Sequence, residues 1–101
     1  MSNIPESADE VLTLLRTFME HEKDVYGLLT LGIFGSFARN EADSDSDVDI
    51  VFETSKQNLF LTAKMKAELE DLLARRVDVV RLRKHMNSRL RQRIMQDVRY
   101  V

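Results

Sequence analysis

GSFARNEADSDSDVDI, running from Gly35 to Ile50, carries the reading of this chain. It opens on a Gly-Ser pair directly after an apolar run and closes on Asp47 and Asp49, two aspartates one residue apart. From Glu41 to Glu53 the charged side chains are Glu41, Asp43, Asp45, Asp47, Asp49 and Glu53, with no Lys or Arg among them. Runs of like charge are normally solvated loops. This one passes into Val48, Ile50, Val51 and Phe52, which are strand formers. Carboxylates on the edge of a buried strand are costly unless a cation pairs with them. That conflict points to a functional site.

Upstream of the stretch, Leu28 to Phe34 (LLTLGIF) has the length and apolarity of a buried strand that Gly35 breaks. Before it, Ser7 and Glu10 form a capping box. Val11, Leu14, Leu15, Phe18 and Met19 then recur at helical spacing, with Asp24 and Gly27 marking the end of the helix. Downstream, Asp47 to Phe52 reads as a second strand with Asp47, Asp49 and Val51 on one face and Val48, Ile50 and Phe52 on the other. A helix follows from about Asn58 to Leu73, burying Leu61, Met65, Leu69, Leu72 and Leu73. Val77 to Leu82 (VDVVRL) is a third strand, with Asp78 on the face opposite Val77 and Val79. A last helix starts near Asn87 or Ser88, with Met86, Leu90, Ile94, Val98 and Val101 as an i, i+4 ladder flanked by arginines. The order predicts a single α/β (α+β) domain over residues 1–101: a short mixed sheet of at least three strands, with helices packed on one face.

The 101 residues are enough for one core, and 44% apolar content is ordinary for a globular protein. No apolar run approaches bilayer length, and MSNIPESADE lacks the basic and hydrophobic segments of a secretory signal. The absence of cysteine excludes disulfides, thiolate metal sites and cysteine nucleophiles. These features predict a cytoplasmic protein with no membrane association. The net charge is −2, yet base concentrates after Ala74, in Arg75, Arg76, Arg81, Arg83, Lys84, Arg89, Arg91, Arg93 and Arg99. This basic third is either a docking surface for an acidic partner or a solvated helix face. Aromatics are not interleaved with the arginines beyond Tyr100, so nucleic acid is not the expected partner.

Asp47, Asp49 and Asp78 can converge if their strands are neighbours. Three unpaired carboxylates raise one another's pKa values, and divalent cations relieve the repulsion. An oxygen-only donor set selects Mg²⁺ or Mn²⁺ over Zn²⁺, and Mg²⁺ held by few carboxylates takes substrate phosphates as further ligands. Gly35, without a Cβ, permits close approach of phosphate to the backbone, and Ser36 at the start of a helical turn offers a hydroxyl and free N–H groups. Each element has a plain reading too: a turn for Gly-Ser, a surface feature for Asp-x-Asp, an ion pair with Arg76 or Arg81 for Asp78. A calcium loop beginning at Asp43 fails, because Val48 stands where Gly is needed and Thr54 where Glu is needed.

Taken together, strand, Gly-Ser, acidic loop, Asp-x-Asp strand and later Asp strand resemble the nucleotidyltransferase domain of the DNA polymerase beta superfamily. More closely they resemble its minimal nucleotidyltransferases (MNT). Gly35, Ser36, Ala38, Arg39, Ala42, Ser46, Asp47, Asp49 and Val77–Val80 fall on matching positions of the family pattern. Asn40 stands where the family usually has Gly, a residue that tolerates left-handed backbone. The resemblance implies transfer of AMP from ATP to a hydroxyl with release of pyrophosphate. Asp47, Asp49 and Asp78 are implied as catalytic ligands of two Mg²⁺ ions, with Mn²⁺ as a substitute, and Gly35 and Ser36 as the phosphate end. Arg39 is a further phosphate contact or else an ion pair to the acidic loop. The family further implies a role as antitoxin to a HEPN-type toxin, whose tyrosine takes the AMP, and a homo- or hetero-oligomer that completes the pocket. The alternative is an antitoxin that neutralises its partner by binding alone. A small-molecule transferase is disfavoured because no residues remain for a substrate domain.

Overall fold

In the computed structural model, residues 4–101 are described, and their elements run α1 (Ala8–Tyr26), β1 (Leu28–Phe34), α2 (Gly35–Ala38), β2 (Val48–Thr54), α3 (Leu59–Leu73), β3 (Val77–Arg81), α4 (Ser88–Asp97) and β4 (Arg99–Tyr100). Local chemistry sets their ends. The Ser7 hydroxyl accepts from the backbone N–H of Glu10 and donates to its carboxylate, both at 3.2 Å. Gly27 closes α1 in the left-handed conformation at φ +61°. Asn58 caps α3 by accepting from the N–H groups of Phe60 and Leu61.

The four strands form one sheet in the order β3-β2-β1-β4. β1 pairs antiparallel with β2 and β4, whereas β2 and β3 are parallel. The parallel pair requires a crossover, which α3 supplies. Alternation along β2 then divides the core. Val48, Ile50 and Phe52 join Leu31, Ile33 and Val77 beneath α1 and α3, against Val11, Leu15, Phe18, Met65, Leu69 and Leu73. The expectation of helices on one face holds for α1 and α3. α4 departs from it and covers the opposite face, where Ile94 closes over Phe34 and Val51, with Val80, Leu82 and Leu90 around them. Phe34 and Val51 point away from the larger core by strand alternation, so that face also needs an apolar lid.

The last helix is shorter than its apolar ladder suggests. It ends at Asp97, and Val98 turns extended at φ −59°, ψ 134°. β4 then pairs with β1, with Gly32 opposite Tyr100, and the Val101 N–H donates to the Leu31 carbonyl at 2.9 Å. Val98, Tyr100 and Val101 are strand formers, and β1 would otherwise present unpaired backbone groups along its whole edge. The close pairing depends on Gly32, where a Cβ would stand 2.7 Å from the Arg99 carbonyl oxygen.

Substituting Gly32→Val should therefore lever β4 off the sheet and destabilise the fold by about 1–3 kcal/mol. A thermal melt followed by circular dichroism should show a midpoint lower by roughly 4–8 °C per kcal/mol lost.

Candidate active site

The site is assembled where β1 ends and β2 begins. Leu31 to Phe34 are buried in succession, and the chain then breaks at Gly35, whose φ of +74° lies in the region that favours glycine. Space also excludes a side chain there, since a Cβ at Gly35 would collide with the Asp49 carboxylate. Phe34 faces Asp49 across the antiparallel ladder, so the Gly35 backbone and the Asp49 side chain are held in contact by register. Gly35 opens the single turn of α2, one residue before the start at Ser36 that the sequence suggested. Ser36 is partly exposed there, and its hydroxyl makes no hydrogen bond among the described residues.

The parallel ladder performs the second alignment. Asp49 and Asp78 are register partners on β2 and β3. Neighbouring strands lie about 4.8 Å apart, and register partners send their side chains to the same face. That face also carries Val51, Val80 and α4. Asp49 is half-buried, and its carboxyl is pushed above the usual carboxylate range, first by burial and then by the charge of Asp78. Asp47 adds to the rise, while Arg93 and Arg39 oppose it. Asp78 is exposed.

Asp47 lies one residue before β2 and is also exposed, with its Oδ1 3.3 Å from Nε of Arg76. Among the described residues, no three His, Cys, Asp or Glu side chains form a group that could hold a metal ion. Asp49 and Asp78 are thus brought side by side, and Asp47 is turned towards a competing cation. Like-charge repulsion and the Arg76 contact both favour this spread arrangement. The donor chemistry nevertheless fits a hard divalent cation, because it is oxygen-only and sets a half-buried carboxylate beside a second one.

Arg39 is engaged by ion pairs: its Nε meets Glu41 and its Nη1 meets Asp97 of α4, each at 2.6 Å. The first is the pairing to the acidic loop that the sequence offered, and the second spans 58 positions and had no sequence signal. Asn40 takes the left-handed conformation at φ +55°. Its side-chain oxygen accepts from the Ala8 N–H at 3.1 Å, tying the start of α1 to the loop. Ser46 orders the turn with Asp43, accepting from the Asp43 N–H and donating to its carboxylate. Arg75 clamps the same loop by donating to the carbonyls of Pro5, Asp43 and Ser44, and it lies over the Phe37 ring at 4.9 Å. Arg93, whose positive charge opposes the rise at Asp49, is the neighbour of the site that sequence reasoning missed. Its cue was present in the spacing of α4, where it neighbours the buried Ile94, but which sheet face that stripe covers was not legible.

Because Asp49 is raised relative to an unfolded carboxyl, ionising it opposes folding. The stability linked to it is fully present below the unfolded pKa and is lost as pH rises through the higher folded value. Asp49→Asn should therefore melt above the wild type at pH 7, with the gap closing as pH falls through the carboxylate range. Paired melts from pH 3 to pH 8 check this.

A family model described as "Polymerase beta, Nucleotidyltransferase" matches residues 15–101. The protein adenylyltransferase MntA of Thermococcus cleftensis is 31% identical over 94 residues, covering 92% of this chain and 94% of that one. A solved candidate minimal nucleotidyltransferase is 32% identical and superposes with a TM-score of 0.73, covering 91% of this chain and 93% of its own. The fold is also that of a toxin–antitoxin structure with AMP-PNP (TM-score 0.68, 21% identical, 92% of this chain and 70% of that one). It is shared as well by a structure of a tri-AMPylated Shewanella oneidensis HEPN toxin in complex with an MNT antitoxin (TM-score 0.59, 20% identical, 92% and 66% covered). With the Gly35–Ser36 corner, the Asp49–Asp78 pair and this match over most of its length, the chain belongs to the polymerase beta nucleotidyltransferase family.

Proposed function

We propose that this protein is a Mg²⁺-dependent adenylyltransferase that moves AMP from ATP to a tyrosine of a HEPN-type partner and acts as its antitoxin in the cytoplasm. The observation that carries this reading is the register of Asp49 against Asp78, beside a Gly35 backbone that has no room for a side chain. The relatives support the chemistry: one is a protein adenylyltransferase, and one structure of the same fold holds an AMPylated HEPN toxin with an MNT antitoxin.

In this reading Asp47, Asp49 and Asp78 hold two Mg²⁺ ions, or Mn²⁺ in their place. When bound, such ions supply electrostatic stabilisation of the charge that develops on the transferring phosphate. Gly35 lets a phosphate approach the chain, and the Ser36 hydroxyl, with no partner among the described residues, hydrogen-bonds a phosphate oxygen. The acceptor hydroxyl oxygen bonds to the α-phosphorus of ATP, the bond to the β-phosphate oxygen breaks, and pyrophosphate leaves. Asp78, the more exposed of the strand pair, receives the hydroxyl proton. Asp47 would have to exchange its exposed ion pair with Arg76 for the metal. The partner completes the pocket above an otherwise open surface, and the Arg-rich α4 side faces it.

A specific observation keeps the binding-only reading alive: among the described residues the three aspartates are not gathered into a metal group. ATP labelled at the α-phosphate, mixed with Mg²⁺ and the HEPN partner, decides between them. The proposed enzyme transfers label to a partner tyrosine, and Asp47→Asn or Asp49→Asn lowers the transfer by about 100-fold or more. No label on the partner, with neutralisation intact in both variants, would instead establish inhibition by binding.

A further inference from the structure

α4 is the only helix among the described residues whose buried stripe lies on the sheet face of Asp49 and Asp78. Ile94 is fully buried there against Phe34 and Val51. Phe34 is both the register partner of Asp49 and the residue before Gly35, and Val51 follows Asp49 on the same face. Through Ile94 and Phe34 the helix thus packs next to the Gly35–Ser36 corner.

Its rotation is fixed independently. Asp97 bonds Arg39, the residue that ends α2, at 2.6 Å. Arg93 stands four positions before Asp97, one turn away on the same side of α4. It also neighbours Ile94. The two constraints put Arg93 on the side of α4 that carries the Arg39 bridge, one turn before it and next to the residue that packs on Phe34. Consistent with this, its charge is felt at the Asp49 carboxyl more strongly than that of Arg39.

Arg93 is uncommitted, a state it shares with Arg81 and Arg89 among the described residues. Arg39 is taken up by Glu41 and Asp97, Arg76 by Asp47, and Arg99 by Asp9. Arg91 donates to the Arg83 carbonyl at 2.9 Å. Arg93 is exposed and makes no ion pair or side-chain hydrogen bond among the described residues. An unpaired guanidinium is suited to bidentate contact with phosphate oxygens.

We propose that Arg93, held next to the Gly35–Ser36 corner by the buried Ile94 and the Arg39–Asp97 bridge, is the side chain that grips the pyrophosphate portion of the nucleoside triphosphate. Arg39 does not share this task, since freeing it would break two ion pairs and unfasten α4 from α2. The assignment rests on the reading of the site as an ATP site. It adds the residue that distinguishes a triphosphate from a monophosphate.

The test is equilibrium binding to the full chain with Mg²⁺ present, by competition of ATP and of AMP against a fluorescent ATP analogue, for wild type, Arg93→Gln and Arg93→Lys. The expected result is a loss of about ten-fold or more in ATP affinity for Arg93→Gln. AMP affinity should change by no more than about two-fold on the same grounds, and Arg93→Lys should lie between. Arg93→Gln should melt with the wild type, because its side chain holds nothing else in place. Unchanged ATP affinity in Arg93→Gln overturns the assignment, and so does an equal loss for AMP. A wild type that binds no ATP would remove the ATP-site reading itself, a result distinct from a wild type that binds ATP and a variant that binds it equally well.

Discussion

Asp49 has neighbours that leave it no freedom. On one side the antiparallel ladder brings Phe34 and the Gly35 backbone against its carboxylate. On the other, the parallel ladder sets Asp78 beside it. Half-buried and next to a like charge, the carboxyl is raised above its ordinary range, and the fold tolerates this only because the strands around it are well buried. Most of the remaining structure follows from holding that carboxylate in place. Gly35 has to be glycine, α2 has to turn away at once, and Val48, Ile50 and Phe52 have to anchor the strand from the opposite face.

Surface charge is arranged around that strain. The acidic loop is kept ordered by Arg75 from above, by the Asp43–Ser46 turn within, and by Asn40 bonding the start of α1. Exposed ion pairs such as Arg39–Glu41 contribute little stability individually. Their value here is positional, because Arg39–Asp97 joins α2 to α4 through residues 58 positions apart in the chain. The domain separates a thick apolar face, under α1 and α3, from a thinner face whose few apolar contacts leave room for charge.

What the sequence disclosed and what it withheld follow from the range of each interaction. The Ser7 cap, the Gly27 stop, the Asn58 start and the Gly35 break are local effects, and each falls where the residues place it. Alternation along VDI and VDVV put Asp49 and Asp78 on faces that prove to be the same one. The non-local partners were hidden. Nothing near Arg39 announces Asp97, and nothing in Val98–Val101 separates a helical ladder from a strand until the free edge of β1 and the bare backbone at Gly32 are considered. The side of the sheet taken by α4 was likewise undetermined, since an amphipathic stripe states that a face is buried and not against what. For the same reason Arg93 read as one of several solvated arginines.

The crossover from β2 to β3 gives the architecture a freedom of its own. α3 runs behind the sheet, under the larger core, while Asp49 and Asp78 look out of the front. Residues inserted between Ser55 and Asn58 would thicken the rear of the molecule and leave the ladder that aligns the two aspartates intact. Length variation and chemistry are thereby uncoupled. Such a frame can acquire new attachments on one side across generations while its reactive side is inherited unchanged.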